Sequence, residues 1–209
     1  QIYEKLLVPI LTFALPKEEK KVLKALSKGA NLDLNILLQA YYQADGLMFL
    51  SRISMMKYLF WRFPKRDIPG CSSAVVSKDL TSEKKLLVMR NQDYPIVGAW
   101  EKNTLVAYCE PSEKDLLPHI FVSSAGLHTS GLTAMNDHGI TVAAHAHFGE
   151  DISFLGAPIF YIGQEVITRA RTIEEAVHII KKNKPHIISI LNFDHLNSYN
   201  IFIHHNSVL

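Results

Sequence analysis

Apolar and polar positions change their spacing once along the chain, near residue 70, and that change organises the rest. Ahead of it the spacing is helical. After Pro16 the acids Glu18 and Glu19 fall in a first turn, Val22, Leu23 and Leu26 recur on one stripe, and Gly29 supplies a stop. Asn31 and Asp33 are candidate N-caps for a second helix through Leu34, Leu37, Leu38 and Tyr41. Residues 47–60, rich in Leu, Met and Phe, read as a third helix. The mixture of Lys and Glu over residues 17–24 is expected to form a solvated helix face. Pro64, Pro69 and Gly70 then forbid a helix and predict an extended or turning linker over residues 63–70.

Beyond the linker the spacing is that of strands. Residues 72–77 and 85–91 flank a polar loop of hairpin size, and residues 104–109 and 119–124 follow. Residues 132–135 and 140–145 bracket Asn136-Asp137-His138-Gly139, a turn that places glycine where φ must be positive. Two helices come next, over residues 158–170 and from Thr172, where Thr172 and Glu175 are spaced as a capping box. Strands return at residues 187–191 and 199–204. Strands, two helices, then strands again predict an α+β fold with helices packed on antiparallel sheets. Because the sequence stops just after a strand, the C-terminal part of this domain is expected to lie outside these 209 residues.

Composition narrows the function. A 48% hydrophobic chain of 209 residues can bury one sizeable core or two small ones. Its net charge of +2, with no run of one sign, gives no nucleic-acid footprint. No apolar stretch reaches the roughly 20 residues of a membrane span. The sequence opens on Gln1 rather than Met, so a targeting segment can precede it and no compartment is assigned. Ten histidines raise the question of a metal, yet no three or four ligands stand at recognisable spacing, and neither a metal nor another cofactor is expected. Two cysteines, Cys71 and Cys109, are too few for a disulfide framework, and Cys109 reads as a small core residue of a strand.

Cys71 carries the candidate chemistry. A thiol nucleophile needs a partner that takes its proton, and a cysteine that begins its own chain has one in its α-amine, whose pKa of roughly 8 leaves a neutral fraction near pH 7. Cleavage after Gly70 would create that amine, and a residue without Cβ suits the strained geometry of the cut. Taken alone, Gly70-Cys71 reads as a buried cysteine beside a turn glycine. A hairpin starting at Cys71 would return Arg90 and Asp93 beside it, a guanidinium for a thiolate or oxyanion and a carboxylate for the new ammonium. On these two residues alone an ordinary surface Arg–Asp pair is the better reading.

Cys71-Ser72-Ser73 followed by Arg90-Asn91-Gln92-Asp93-Tyr94-Pro95 resembles the nucleophile and Arg-Asn-x-Asp element of the cysteine N-terminal-nucleophile (Ntn) hydrolases. That group includes bile-salt hydrolase, penicillin V acylase, acid ceramidase and N-acylethanolamine acid amidase. Gly131-Leu132-Thr133-Ala134-Met135-Asn136-Asp137-His138-Gly139 is similar to a glycine-rich hairpin of the acyl-coenzyme A:6-aminopenicillanic acid acyltransferase-like family. So are the helical segment from Gly156 to Ala176 and the Asn197-Ser198-Tyr199-Asn200 strand, so that the likeness covers nearly all of residues 71–205. The resemblance implies an αββα sandwich over residues 71–209, incomplete at its C-terminus, behind a helical pro-segment of residues 1–70. It implies self-cleavage at Gly70-Cys71, Cys71 as nucleophile and base, Asp93 holding its amine and Arg90 assisting the thiolate. The implied reaction is hydrolysis or transfer of an acyl group from a linear amide, with no cofactor. The implied substrate is a small acyl-amide with an apolar, lipid-like acyl group, and the cleaved parts would stay together as a heterodimer.

Asn91, Tyr94, His145 and His147 are the candidate pocket residues. Relatives carry an asparagine where this chain has Ala143-Ala144-His145-Ala146-His147, and His145 or His147 would stand in for it. Two other readings remain open. One is a papain-like thiol hydrolase pairing Cys71 with a distant histidine. The other is a binding protein, or an unprocessed chain, of the same fold.

Overall fold

The computed structural model describes residues 3–42, 45–46, 70–93, 102–124, 130–145, 156–183, 190–195 and 198–203. The expected helix at 47–60, the linker at 63–69, and Tyr94 and His147 lie outside these residues.

Three helices open the chain: α1 (Val8–Ala14), entered through a π-helical turn at Tyr3–Leu7, α2 (Lys17–Gly29) and α3 (Leu34–Tyr41). Asp33 caps α3, its carboxylate accepting from the N–H groups of Asn35 and Ile36 at 2.7 and 3.4 Å. Asn31 is not a cap. It takes the left-handed conformation (φ 51°) that ends α2, while Gly29 remains helical. Leu7, Leu11, Leu15, Leu23, Leu38 and Tyr42 form the core of this helical unit.

The expected solvated face of α2 needs one correction. Glu19 is 3% exposed and lies beside Tyr41. Burial, and then the Glu19 charge, hold the Tyr41 hydroxyl well above the usual tyrosine range. The Lys/Glu pattern did not show this, because a carboxylate that finds a tyrosine inside the fold looks like any other surface acid in sequence. Asp45 is also fully buried. Its carboxyl lies at Ile159, and among the described residues neither oxygen makes a hydrogen bond of good geometry.

The rest of the chain is α+β, with two antiparallel sheets. Strands β1 (Gly70–Val76) and β2 (Leu87–Asp93) form a two-stranded ribbon joined by a short 3-10 turn at Lys78–Leu80. Strands β3 (Thr104–Cys109), β4 (His119–Ser124), β5 (Thr133–Asn136), β6 (Thr141–His145), β7 (Ile190–His195) and β8 (Ser198–Ile203) pair in sequence order as one six-stranded sheet. Between β6 and β7 run α4 (Ile159–Arg169) and α5 (Ile173–Asn183). They cover one face of the large sheet with Ile162, Val166, Ile167 and Ile180 against Phe121, Ala134, Val142 and Ala144. Cys109 is a half-buried free thiol packed on this core, as its strand pattern predicts. The capping box is shifted by one donor: Thr172 accepts from the Glu175 N–H, but Glu175 accepts from the N–H of Arg171 rather than from that of Thr172.

Two motif residues lock the β5–β6 hairpin onto α4. Asn136 is buried, accepts from the N–H groups of His138 and Ile140, and donates to the carbonyls of Ile167 and Ala170. All four bonding positions of its amide are used, and Gly139 takes the positive φ of 79° that closes the turn. At the hairpin's other end Gly131 meets Gly163 backbone to backbone. A Cβ on Gly131 would lie 1.9 Å from the Phe160 carbonyl oxygen, and one on Gly163 2.4 Å from that of Gly131.

Gly163→Ala should therefore lower stability by about 1–3 kcal/mol or more, despite alanine's better helix propensity, read as a lower denaturant midpoint. Burial pushes the Asp45 carboxyl up to about 7. A raised carboxyl pKa gives stability that is complete in acid and lost as pH rises through that value. Asp45→Asn should accordingly raise the melting temperature relative to wild type at pH 8 and lose that advantage at pH 4. An equal effect at both values would refute the assignment.

Candidate active site

Burial alternates along the ribbon. Cys71, Ser73 and Val75 on β1, and Val88, Arg90 and Gln92 on β2, are half-buried, while Ser72, Ala74, Leu87, Met89 and Asn91 are exposed. The first set faces the six-stranded sheet on the side opposite the helices. In register Cys71 pairs with Gln92 and Ser73 with Arg90, so Arg90 sits diagonally across from the thiol on the same face. Gly70 pairs with Asp93. The backbone thus brings the candidate carboxylate position opposite the candidate cleavage site, and the side chain of Asp93 lies outside what is described.

Arg90 is the centre of the cluster. Its Nη2 donates to the Cys71 Sγ at 3.3 Å and to the carbonyl of Ala144 on β6. Its Nη1 donates to the Thr133 Oγ1 on β5 at 2.6 Å and to the Gln92 Oε1 at 2.9 Å. Burial pulls the guanidinium below its usual range, and the charge of Cys71 and its hydrogen bond act in the opposite direction. His145, which ends β6, reaches the ribbon from the other side, with its Nε2 2.6 Å from the Ser73 Oγ.

Among the sequence-predicted residues, Cys71, Arg90 and His145 come together. Asn91 does not join them: it is exposed on the outer face of β2, because neighbours of the inward-facing Arg90 must point the other way. Sequence reasoning missed Ser73, Gln92 and Thr133. Ser73 and Gln92 share strand parity with Cys71 and Arg90, a signal that was readable. Thr133 and the Ala144 carbonyl reach Arg90 only through tertiary packing.

Beside this cluster lies a cavity of about 810 Å³ between β2 and the large sheet. Arg90, Gln92 and Thr133 line one part, and Leu87, Val88, Ile120, Val122 and Met135 give the remainder an apolar wall. Cys71 begins a strand rather than a helix, which does not match the helix-terminus thiol of the papain-like scheme. Among the described residues no three His, Cys, Asp or Glu side chains gather as a metal site requires, and no helix is long and apolar enough to cross a membrane. Comparison with protein-family models and with curated proteins gives no match to this chain.

Arg90→Met should slow iodoacetamide alkylation of Cys71 at pH 7.5 by about tenfold relative to Cys109, since it removes the charged donor 3.3 Å from the sulfur. Arg90→Lys keeps the charge but not the fork of donors and should recover only part of the rate. Unchanged alkylation in both variants would remove Arg90 from any role at the sulfur.

Proposed function

We propose that the chain is the nucleophile-bearing part of an autoprocessing cysteine amidohydrolase or acyltransferase. Residues 1–70 act as pro-segment, and residues 71–209 belong to an αββα Ntn domain. The observation that carries this reading is the 3.3 Å contact of Arg90 Nη2 with the Cys71 sulfur, made one residue after Gly70 on the same strand. The Gly70–Asp93 backbone pairing supports it, since it brings an acidic residue to the position where a new α-ammonium would appear.

In the first stage the Cys71 thiolate attacks the Gly70 carbonyl carbon. The C–N bond to Cys71 breaks, the nitrogen takes a proton, and a Gly70 thioester remains on the sulfur. Water cleaves the thioester to a Gly70 carboxylate and returns the thiol, now on a residue with a free α-amine. In the second stage that amine accepts the thiol proton, the sulfur attacks the substrate amide, and the proton passes to the departing amine. Water, or an acceptor amine, then takes the acyl group from the thioester. Arg90 donates to the sulfur throughout and needs no cofactor to do so.

An acylated amine with an apolar acyl group is the substrate class that fits the wall of the neighbouring cavity, whose volume is in the range of small-molecule sites. Electrophoresis under denaturing conditions should resolve two polypeptides from the mature protein, the larger beginning Cys71-Ser72-Ser73 by N-terminal sequencing. Cys71→Ala should give one uncut chain. An active enzyme whose Gly70–Cys71 bond is intact would overturn the proposal.

A further inference from the structure

Two consecutive residues at the end of β6 hold the two strands of the ribbon separately. The Ala144 carbonyl accepts from Arg90 and so holds β2, while the His145 ring meets Ser73 and so holds β1. Ser73 is two residues beyond Cys71 on the same face of the same strand, and the His145 ring also bonds to the Cys71 backbone. The ladder from Gly70–Asp93 to Val76–Leu87 keeps β1 beside β2. Within it both attachments set the distance of the sulfur from Arg90, since Arg90 is anchored on β5 and β6 while the Cys71 end of β1 is held through Ser73.

We propose that His145 is a positioning residue for Cys71, acting through its hydrogen bond to Ser73 to seat strand β1 where the Cys71 sulfur meets Arg90. The inference rests on Cys71 being the nucleophile. It assigns His145 no proton transfer and no contact with substrate.

The chemistry of the ring makes the role visible in solution. Burial, and then the charge of Arg90, lower the His145 pKa from the usual histidine range, while the bond to the Cys71 backbone acts the other way. At neutral pH the ring is therefore uncharged and offers one acceptor nitrogen, to which the Ser73 hydroxyl can donate. Protonation reverses that bond, the ring N–H then donating to the Ser73 Oγ, and places a second cation beside Arg90. Among the described residues the charged group acting on the ring is Arg90 on β2, Cys71 on β1 meets it through its backbone, and its partner across the ladder on β7 is Ile190. Repulsion between the two cations in acid should thus shift the Ser73 segment of β1 and lengthen the contact of the sulfur with Arg90.

The test is the rate at which Cys71 of the full chain reacts with 4,4′-dithiodipyridine across the acid and neutral range, with Cys71 and Cys109 resolved by peptide mass spectrometry. The wild-type rate should show an additional step in the acid range that His145→Asn lacks, because an asparagine can bond to Ser73 but gains no charge in acid. Ser73→Ala should lose the same step and react about threefold to tenfold more slowly at neutral pH, the scale of one hydrogen bond. A wild-type profile without the step, or a step that survives in both variants, would overturn the proposal. If His145→Asn does not fold, Ser73→Ala, which removes a single oxygen, decides alone. The reagent reads the thiol in cut and uncut chains alike, so failure here is separable from failure of self-cleavage, which N-terminal sequencing reads.

Discussion

The guanidinium of Arg90 is the interaction on which the arrangement of the site depends. It is a largely buried cation with four acceptors on four different residues: a sulfur on β1, an amide oxygen on its own strand, a hydroxyl on β5 and a backbone carbonyl on β6. Taking a charge out of water is costly unless hydrogen bonds replace the lost hydration. Here the replacements come from two sheets and reach both terminal nitrogens, leaving the buried Nε without a partner among the described residues, so solvating the fork of the cation and joining the ribbon to the large sheet are one event. A lysine would bring the charge but not the planar fork that reaches both strands at once.

That arrangement works only if β5 and β6 present their acceptors as a unit. Asn136 and the Gly131–Gly163 contact supply this rigidity from the far side of the sheet. The asparagine joins the hairpin's turn to the C-terminal end of α4, and the glycine pair lets the same helix approach the hairpin's base. The helical core of Ile162, Val166 and Ile167 then holds the hairpin against α4 along its length. Thr133 and Ala144 face Arg90 because residues that never touch the site hold their strands.

The helical unit ahead of residue 70 has its own core and its own buried acids. Glu19 and Asp45 lie inside, one beside a tyrosine and the other at the first turn of α4. Asp45 gains from the partial positive charge of a helix N-terminus but has lost its water, and the loss is larger, which is why its pKa rises rather than falls. A buried carboxyl of this kind makes the contact of the leading helices with α4 sensitive to pH, whereas the ribbon and its arginine respond to a different ionisation, that of His145.

Much of this was legible in the chain itself. Period and punctuation gave α2, α3 and the strands β3 and β4 with bounds equal or close to those observed, the Asp33 cap, and the Gly139 turn, because each follows from forces between residues near in sequence. The side-chain contact of Arg90 with Cys71 was also foreseeable, since one hairpin connects them. What sequence could not decide were the contacts made across large separations: Thr133 and Ala144 at Arg90, Ser73 at His145, and Glu19 turned inward. Local preferences fix where an element starts and which side chains share a face. Only the packing of whole elements, driven by burial of their apolar faces, decides what each face meets.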